Sequence, residues 1–193
     1  MTQLAWVAII VQIIGVGAMI TEILSVQPKF RTSMLWLRVI SNVLWTIHFS
    51  LLGAWAGALM NGIGTVRSYT FNTYGAKKDR NPLLLYIILA AEIAGAFIVF
   101  DNLYGLLAVA GMIVATIGLW QLDTQRLRLV MLVSAVPWFI YDMLVGSIPG
   151  MIDEVLASIS SMIALYRYRQ KNEITQSIST ESKVLKPQPE QSN

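Results

Sequence analysis

Several ionisable and amide side chains lie inside long apolar stretches of the sequence, where they could bind a solute or carry protons. They are Asn61, Glu92, Asp142, Asp153 and Glu154, with His48 and Tyr141 among aromatic neighbours. If these stretches cross a membrane, each ionisable residue costs about 2.5–3.5 kcal/mol on insertion scales, so it must face protein or water. A pocket that combines amides, carboxylates and aromatic faces suits a small polar solute, such as a sugar or an amino acid.

These polar residues fall into two segments that repeat each other without a gap. The stretch from Trp45 to Gly57 reads WTIHFSLLGAWAG, and the stretch from Trp138 to Gly150 reads WFIYDMLVGSIPG, which is an offset of 138 − 45 = 93 residues. Two tryptophans and two GxxxG steps at one offset indicate an internal duplication. The offset pairs His48 with Tyr141, Phe49 with Asp142 and Asn61 with Glu154.

A pocket between the two repeated units is therefore the predicted binding site. The candidate solute-binding residues are Asn61, Glu154, Trp45, Trp138, His48 and Tyr141, and the candidates for proton coupling are Asp142, Asp153 and Glu92. Each of them also has a purely structural interpretation. His48 could form a hydrogen bond between helices, Asp142 could contact water at the headgroups, and the two tryptophans could serve packing alone.

The composition places the chain in a membrane. Hydrophobic residues make up 55% of it and charged residues 13%, with a mean hydropathy of +0.60, whereas soluble domains carry about 25% charged residues. The chain has no cysteine and one histidine, which excludes a thiolate site or a multi-histidine metal cluster. No G-x-S-x-G, H-E-x-x-H or Walker A motif is present, so neither an enzyme nor a cofactor is predicted. A hydrolase that pairs His48 with Ser41 or Ser50 would lack an oxyanion hole.

Seven apolar stretches meet or approach the length of about 20 residues that a spanning helix needs. They run from about Leu4 to Val26, Met34 to Leu52, Trp55 to Phe71, Pro82 to Phe100, Leu103 to Trp120, Leu127 to Val145 and Ile148 to Tyr168. All 14 lysines and arginines then fall on one side of the membrane, while the opposite turns at 53–54, 101–102 and 146–147 carry none. The positive-inside rule therefore predicts an outside N-terminus and a cytoplasmic C-terminus.

The predicted fold class is an all-α integral membrane protein with seven transmembrane helices. Two parallel three-helix repeats are joined by a linker helix in a 3+1+3 plan, an architecture that transporters use. The predicted organisation is a first unit over 1–73, a linker loop and fourth helix over 74–101, a second unit over 102–169, and a disordered cytoplasmic tail over 170–193. The N-terminus lacks a basic n-region and a cleavage site, so the first span is expected to be retained.

The motif around His48 resembles a known family. The segment IHFSLLGAWAGALMNGIGTVR, which includes His48, Gly53, Asn61 and Arg67, resembles the YgjV-type bacterial inner-membrane family, as does PWFIYDMLVGSIPGMIDEVLASISSMIALYRYR further on. The likeness covers roughly Leu4 to Arg169. That family is distantly similar to the SWEET sugar transporters and PQ-loop proteins, which share the 3+1+3 plan. The resemblance implies a site at Asn61 and at the seventh-span position, here Glu154, flanked by Trp45 and Trp138.

These observations predict a multi-pass protein of the bacterial inner membrane that moves a small polar solute by alternating access between its two units. The alternative is a membrane protein that binds or scaffolds a partner without transport. The expected partners are the lipid bilayer and a small polar solute, with a homo-oligomer left open. No nucleic acid, metal or cofactor is expected.

Overall fold

Seven α-helices make up the computed structural model, which describes residues 2–25, 31–74, 81–99, 103–121 and 124–184. They are α1 (Thr2–Ser25), α2 (Arg31–Leu51), α3 (Trp55–Thr73), α4 (Leu83–Ile98), α5 (Gly105–Trp120), α6 (Thr124–Val145) and α7 (Ile148–Val184). Each corresponds to one apolar stretch of the sequence, so the prediction of an all-helical chain is confirmed for these residues. The predicted turn at Asp101–Asn102 lies outside the described residues.

Four of these helices are long and apolar enough to cross a membrane. The apolar segments are Trp6–Ser25, Thr32–Leu51, Gln125–Val145 and Ile148–Arg167, in α1, α2, α6 and α7. The helices α4 and α5 are also apolar but shorter, at 16 residues each. At 1.5 Å per residue they are about 24 Å long, slightly less than the roughly 30 Å thickness of a hydrocarbon core.

The last helix is longer than the sequence predicts. A disordered tail is expected from Gln170, but α7 continues to Val184. The residues from Gln170 to Val184 include no glycine and no proline, and the next proline in the sequence is Pro187. Polar residues alone do not stop a helix, whereas glycine and proline do. The remainder of the predicted tail, residues 185–193, lies outside the described part of the chain.

Six of the helices contact one another in a closed ring. In this six-helix ring α1 contacts α2, α2 contacts α3, α3 contacts α5, α5 contacts α6, α6 contacts α7, and α7 returns to α1. Among the described residues, α4 contacts α3 and α5 and no other helix. It therefore lies outside the ring, against the junction of α3 and α5.

The distribution of side chains is the reverse of that in a soluble domain. Large apolar side chains such as Trp6, Phe97 and Val133 are 64%, 79% and 62% exposed, while polar ones such as Asn42 and Glu92 are buried. Lipid cannot satisfy a hydrogen-bonding group, so polar side chains in a membrane must find partners inside the protein. This distribution agrees with a bilayer around the bundle.

Two glycines end α2 and α6 in the same way. Gly53 has φ +72° and Gly146 has φ +75°. The following residue in each case bonds back to the helix, Ala54 N to Phe49 O and Ser147 N to Asp142 O, both at 2.9 Å. This is the Schellman arrangement, in which a left-handed residue terminates a helix and is usually glycine. Both turns therefore reverse the chain within a few residues.

Replacing Gly53 by alanine should destabilise the protein by about 1–2 kcal/mol, because a Cβ in the left-handed region crowds the following carbonyl. No atom lies within 4 Å of that added Cβ, so the cost comes from the backbone alone. Unfolding of the detergent-solubilised protein measures it. Gly62→Ala is the matched control, since its Cβ also meets nothing within 4 Å and alanine favours a helix by up to about 1 kcal/mol. Equal stability of the two variants would contradict the expectation.

Candidate functional site

A cavity of about 70 Å³ lies inside the six-helix ring. Every helix of the ring contributes to the wall of this central cavity, and α4 contributes nothing to it. Of the nine predicted site residues, the wall contains Asn61, Glu154, Trp45, Trp138, Asp142 and Asp153. The structure thus brings together residues that are up to 109 positions apart in the chain, from Trp45 to Glu154.

Three aromatic rings form a continuous stack on one side of the central cavity. The rings of Trp45 and Phe49 are 5.5 Å apart, and those of Phe49 and Trp138 are 6.1 Å apart, with interplanar angles of 24° in both pairs. The stack therefore runs from α2 to α6. Gly111 of α5 leaves the space for Trp138, because a Cβ there would lie 2.5 Å from the indole Cδ1.

A paired charge occupies one part of the wall. Arg38 Nη1 donates to Glu22 Oε1 at 2.6 Å. The other oxygen, Glu22 Oε2, accepts from the Ser41 hydroxyl and from Trp45 Nε1, both at 2.9 Å. Both oxygens of this carboxylate therefore have donors, and the positive charge of Arg38 is already engaged.

Three further carboxyl groups on the wall form no ion pair with a described lysine or arginine. Asp142 and Asp153 are 2% and 4% exposed, and Oδ1 of each is buried without a hydrogen-bond partner. Glu154 follows directly on α7. In the described part of the chain, no lysine or arginine forms an ion pair with any of the three. The described residues also contain no group of three or more histidine, aspartate or glutamate side chains that could hold a metal ion.

The Asp142 carboxyl is positioned by a glycine of the next helix. A Cβ on Gly150 would lie 2.4 Å from the Asp142 carboxyl carbon and 2.5 Å from both of its oxygens. Glycine at this position lets the backbone of α7 approach the carboxyl group. The second glycine of the repeated GxxxG step therefore serves close packing at the site.

His48 and Tyr141 do not line the central cavity and instead connect the two halves of the ring. His48 Nε2 lies 2.9 Å from Ser147 Oγ, and Nδ1 lies 2.9 Å from the Val11 carbonyl. A carbonyl can only accept, so Nδ1 of a neutral ring carries the proton and Nε2 accepts from the Ser147 hydroxyl. Both side chains make structural contacts between helices.

Tyr141 makes the contact that corresponds to this one at the 93-residue offset. Its hydroxyl donates to the Ala54 carbonyl at 3.3 Å and accepts from Gly57 N at 2.7 Å. His48 and Tyr141 are 93 residues apart, and so are Ala54 and Ser147. Each half of the ring thus inserts a side chain against the same turn of the other half.

A serine hydrolase gains no support from these contacts. The Ser41 hydroxyl lies 2.9 Å from Glu22 Oε2 and 3.2 Å from Ala18 O, and the Ser50 hydroxyl donates to Thr46 O, so neither bonds to His48. The serine beside His48 is Ser147, and neither of these two residues lines the central cavity.

Glu92 lies outside the ring, in a buried network between α3, α4 and α5. The Thr116 hydroxyl donates to Glu92 Oε1 at 2.5 Å, and Arg67 Nη1 donates to Thr116 Oγ1 at 2.8 Å. Arg67 Nη1 also lies 3.8 Å from Glu92 Oε1 and 2.7 Å from Met112 Sδ. The structure therefore separates this proton-coupling candidate from Asp142 and Asp153, and gives it an ionic partner that attaches α4 to the ring.

Comparison with protein families identifies the chain. The family model Imp-YgjV, described as a bacterial inner membrane protein, matches residues 9–172. The chain belongs to the Imp-YgjV family. The resemblance inferred from the sequence is thereby confirmed, and so is the location in the bacterial inner membrane. Comparisons with curated proteins and with solved structures gave no match.

Sequence reasoning missed several wall residues of this Imp-YgjV protein. Besides Glu22 and Arg38, they include Asn42, Phe49 and Ser134. Arg38 lies near the start of α2. The positive-inside rule predicts a basic residue there on the cytoplasmic side whether or not that residue lines a cavity. The repeat offered a signal for one of them, because Phe49 corresponds to the predicted site residue Asp142 at the same offset.

Glu92→Gln should destabilise this Imp-YgjV protein by about 3–5 kcal/mol, since it leaves the buried Arg67 guanidinium without its anion. The double variant Arg67→Met with Glu92→Gln should lose less than the sum of the two single changes, because no charge is then left unpaired. Unfolding in detergent measures all three. Glu154→Gln, which removes a carboxyl group without a cationic partner, is the control and should cost less. Additive losses in the double variant would contradict the ion-pair interpretation.

Proposed function

We propose that this Imp-YgjV protein transports a small polar solute by alternating access between two three-helix units. The observation that carries the proposal is the central cavity, because it is polar, has an aromatic wall and is enclosed by helices of both units. Polar groups within a membrane are costly and generally mark a solute or ion pathway. A bundle that served packing alone would have no need for three unpaired carboxyl groups around an internal space.

The pattern of contacts supports two equivalent units, α1–α3 and α5–α7. The contact between α1 and α7 has its counterpart in the contact between α5 and α3. The two positive-φ glycines and the reciprocal contacts of His48 and Tyr141 also correspond at one offset. Reciprocal contacts of this kind, in which i meets j′ and i′ meets j, are characteristic of a two-fold interface. The helix α4 then acts as the linker.

These reciprocal contacts suggest which side is closed. They join α2 to the α6–α7 turn and α6 to the α2–α3 turn. In the proposed topology both turns lie on the outer face, so these contacts would close the bundle to the outside. The cavity wall extends along α2 from Arg38 to Phe49 and along α7 from Gly150 to Ser161. Eleven residues of helix correspond to about 16 Å, directed from the outer turns toward the cytoplasmic side.

Alternating access then requires the His48–Ser147 and Tyr141–Ala54 contacts to separate together. The two units would move apart at the outer turns and close around the opposite end of the cavity. Asn61 and Glu154 would hold the solute against Trp45 and Trp138, while Asp142 and Asp153 would take up and release the protons that couple to its transport. Glu92, which is held by Arg67 and Thr116, would have a supporting role.

Solute flux in proteoliposomes tests the proposal directly. At least one small polar solute should be carried, and Asn61→Ala and Glu154→Gln should each lower its flux about tenfold or more. Gly62→Ala serves as the control because Gly62 is not part of the cavity wall. If a broad solute screen shows neither flux nor binding, and both site variants keep their cellular phenotype, the chain is a binding or scaffold protein instead.

Side-specific labelling of single cysteines tests the closed-outside state. The natural chain has no cysteine, so Ser158→Cys on the cavity wall introduces the sole thiol. An impermeant maleimide should label it from the cytoplasmic side, and Tyr141→Phe should raise labelling from the outside several-fold. Ser160→Cys, which is not on the wall, controls for exposure to lipid. Labelling of Ser158→Cys from the outside alone would overturn the proposed topology.

A further inference from the structure

We infer that the solute bound in the central cavity is a small organic cation that carries N–H groups, namely a protonated amine. This inference rests on the proposed transport site and specifies the charge of its solute. It follows from the balance of charge on the wall, from two unpartnered carboxylate oxygens and from the aromatic stack.

The charge balance on the wall is strongly one-sided. The wall contains four carboxyl groups, Glu22, Asp142, Asp153 and Glu154, and one described cationic side chain, Arg38. The Arg38 charge is used by Glu22 at 2.6 Å. A positive charge in the solute would offset one negative charge among the other three carboxyl groups, and charges that face each other in a low-dielectric space attract far more strongly than in water.

One oxygen in each of two of these groups also lacks a hydrogen-bond donor. Oδ1 of Asp142 and Oδ1 of Asp153 are buried and have no partner in the protein, although buried polar atoms nearly always have one. Both residues line the cavity, so a solute inside it is within reach of both. The N–H groups of an ammonium ion would supply the missing donors with charge-assisted hydrogen bonds.

The aromatic part of the wall is suited to the same ligand. Phe49 lies between the rings of Trp45 and Trp138, so a cation would approach the outer face of one of the two tryptophans, and tryptophan is the aromatic side chain that attracts cations most strongly. A neutral sugar could also stack there, but it would offset none of the negative charge of the three carboxyl groups. A zwitterionic amino acid would need a cation for its carboxylate, and Arg38 is already paired. The size of the cavity, about 70 Å³, is the space of several water molecules and favours a small amine.

Binding of matched probes to the purified full-length protein tests the inference. Ethanolamine and ethylene glycol have the same number of non-hydrogen atoms. Ethanolamine has an ammonium group where ethylene glycol has a second hydroxyl group. Quenching of tryptophan fluorescence and the shift in Tm should show ethanolamine binding about tenfold tighter or more, with acetate not binding. Equal affinity for ethanolamine and ethylene glycol would overturn the inference. So would potassium chloride displacing ethanolamine at equal concentration, since the site would then select any cation.

Variants of the two unpartnered carboxyl groups extend the test. Asp142→Asn and Asp153→Asn should each weaken ethanolamine binding about tenfold or more and leave ethylene glycol binding unchanged. Glu181→Gln removes the same charge on α7, 27 residues beyond Glu154 and so about 40 Å along the helix, and should leave both affinities unchanged. If a site variant fails to fold, the comparison of probes on the natural protein still decides the question. Equal ethanolamine affinity in all three variants would overturn the assignment.

Flux measurements separate this inference from the proposed function. Preferential binding of ethanolamine without flux of any solute would support the cation site and contradict transport. Flux of a neutral solute, with no binding of ethanolamine and no effect of Asp142→Asn, would support transport and overturn the inference.

Discussion

The need to satisfy every polar group without help from lipid determines how this bundle is assembled. Glu22 and Arg38 join α1 to α2, His48 and Ser147 join α2 to the α6–α7 turn, and Arg67 with Thr116 joins α3 to α5. Each of these contacts connects different parts of the bundle, because a polar side chain that faced lipid would lose its hydrogen bonds. Among the buried side-chain atoms without a hydrogen-bond partner, Asp142 Oδ1 and Asp153 Oδ1 belong to residues of the cavity wall, where a ligand rather than the protein can complete the bonding.

Glycines determine how closely the functional side chains can approach a neighbouring helix. An added Cβ at Gly15 would meet the His48 ring at 2.7 Å, and one at Gly57 would meet Tyr141 Cε1 at 2.8 Å. Gly111 and Gly150 give the same clearance to Trp138 and to Asp142. In membrane proteins small residues at helix contacts let large or polar partners pack closely. A glycine therefore lies against four of these side chains, His48, Tyr141, Trp138 and Asp142.

Hydropathy and the 93-residue offset predict the number of helices, their approximate bounds and six of the residues on the cavity wall. They could not predict the rotation of each helix about its axis, because packing determines that rotation. Apolar residues occur on both faces of these helices, so the sequence does not show which face is turned inward. The sequence therefore predicts that His48 and Tyr141 bind the solute. In the structure they form hydrogen bonds with Ser147 and Ala54. Glu92 could not be assigned to Arg67 for the same reason. Polar composition predicts disorder from Gln170. The helix α7 nevertheless continues to Val184, because no glycine or proline occurs in that segment.

The position of α4 makes the two junctions between the halves of the ring unequal. The α3–α5 junction is covered by α4 and joined by the Arg67–Thr116–Glu92 network. The α1–α7 junction has no covering helix in the described structure, and an apolar approach of Gly15 to Pro149 contributes to it. A ring that is braced at one junction bends most easily at the other. In the proposed transport cycle the α1–α7 junction would therefore be the one that opens, and the membrane, by the ease with which its acyl chains fill a widening gap, would set part of the resistance to that movement.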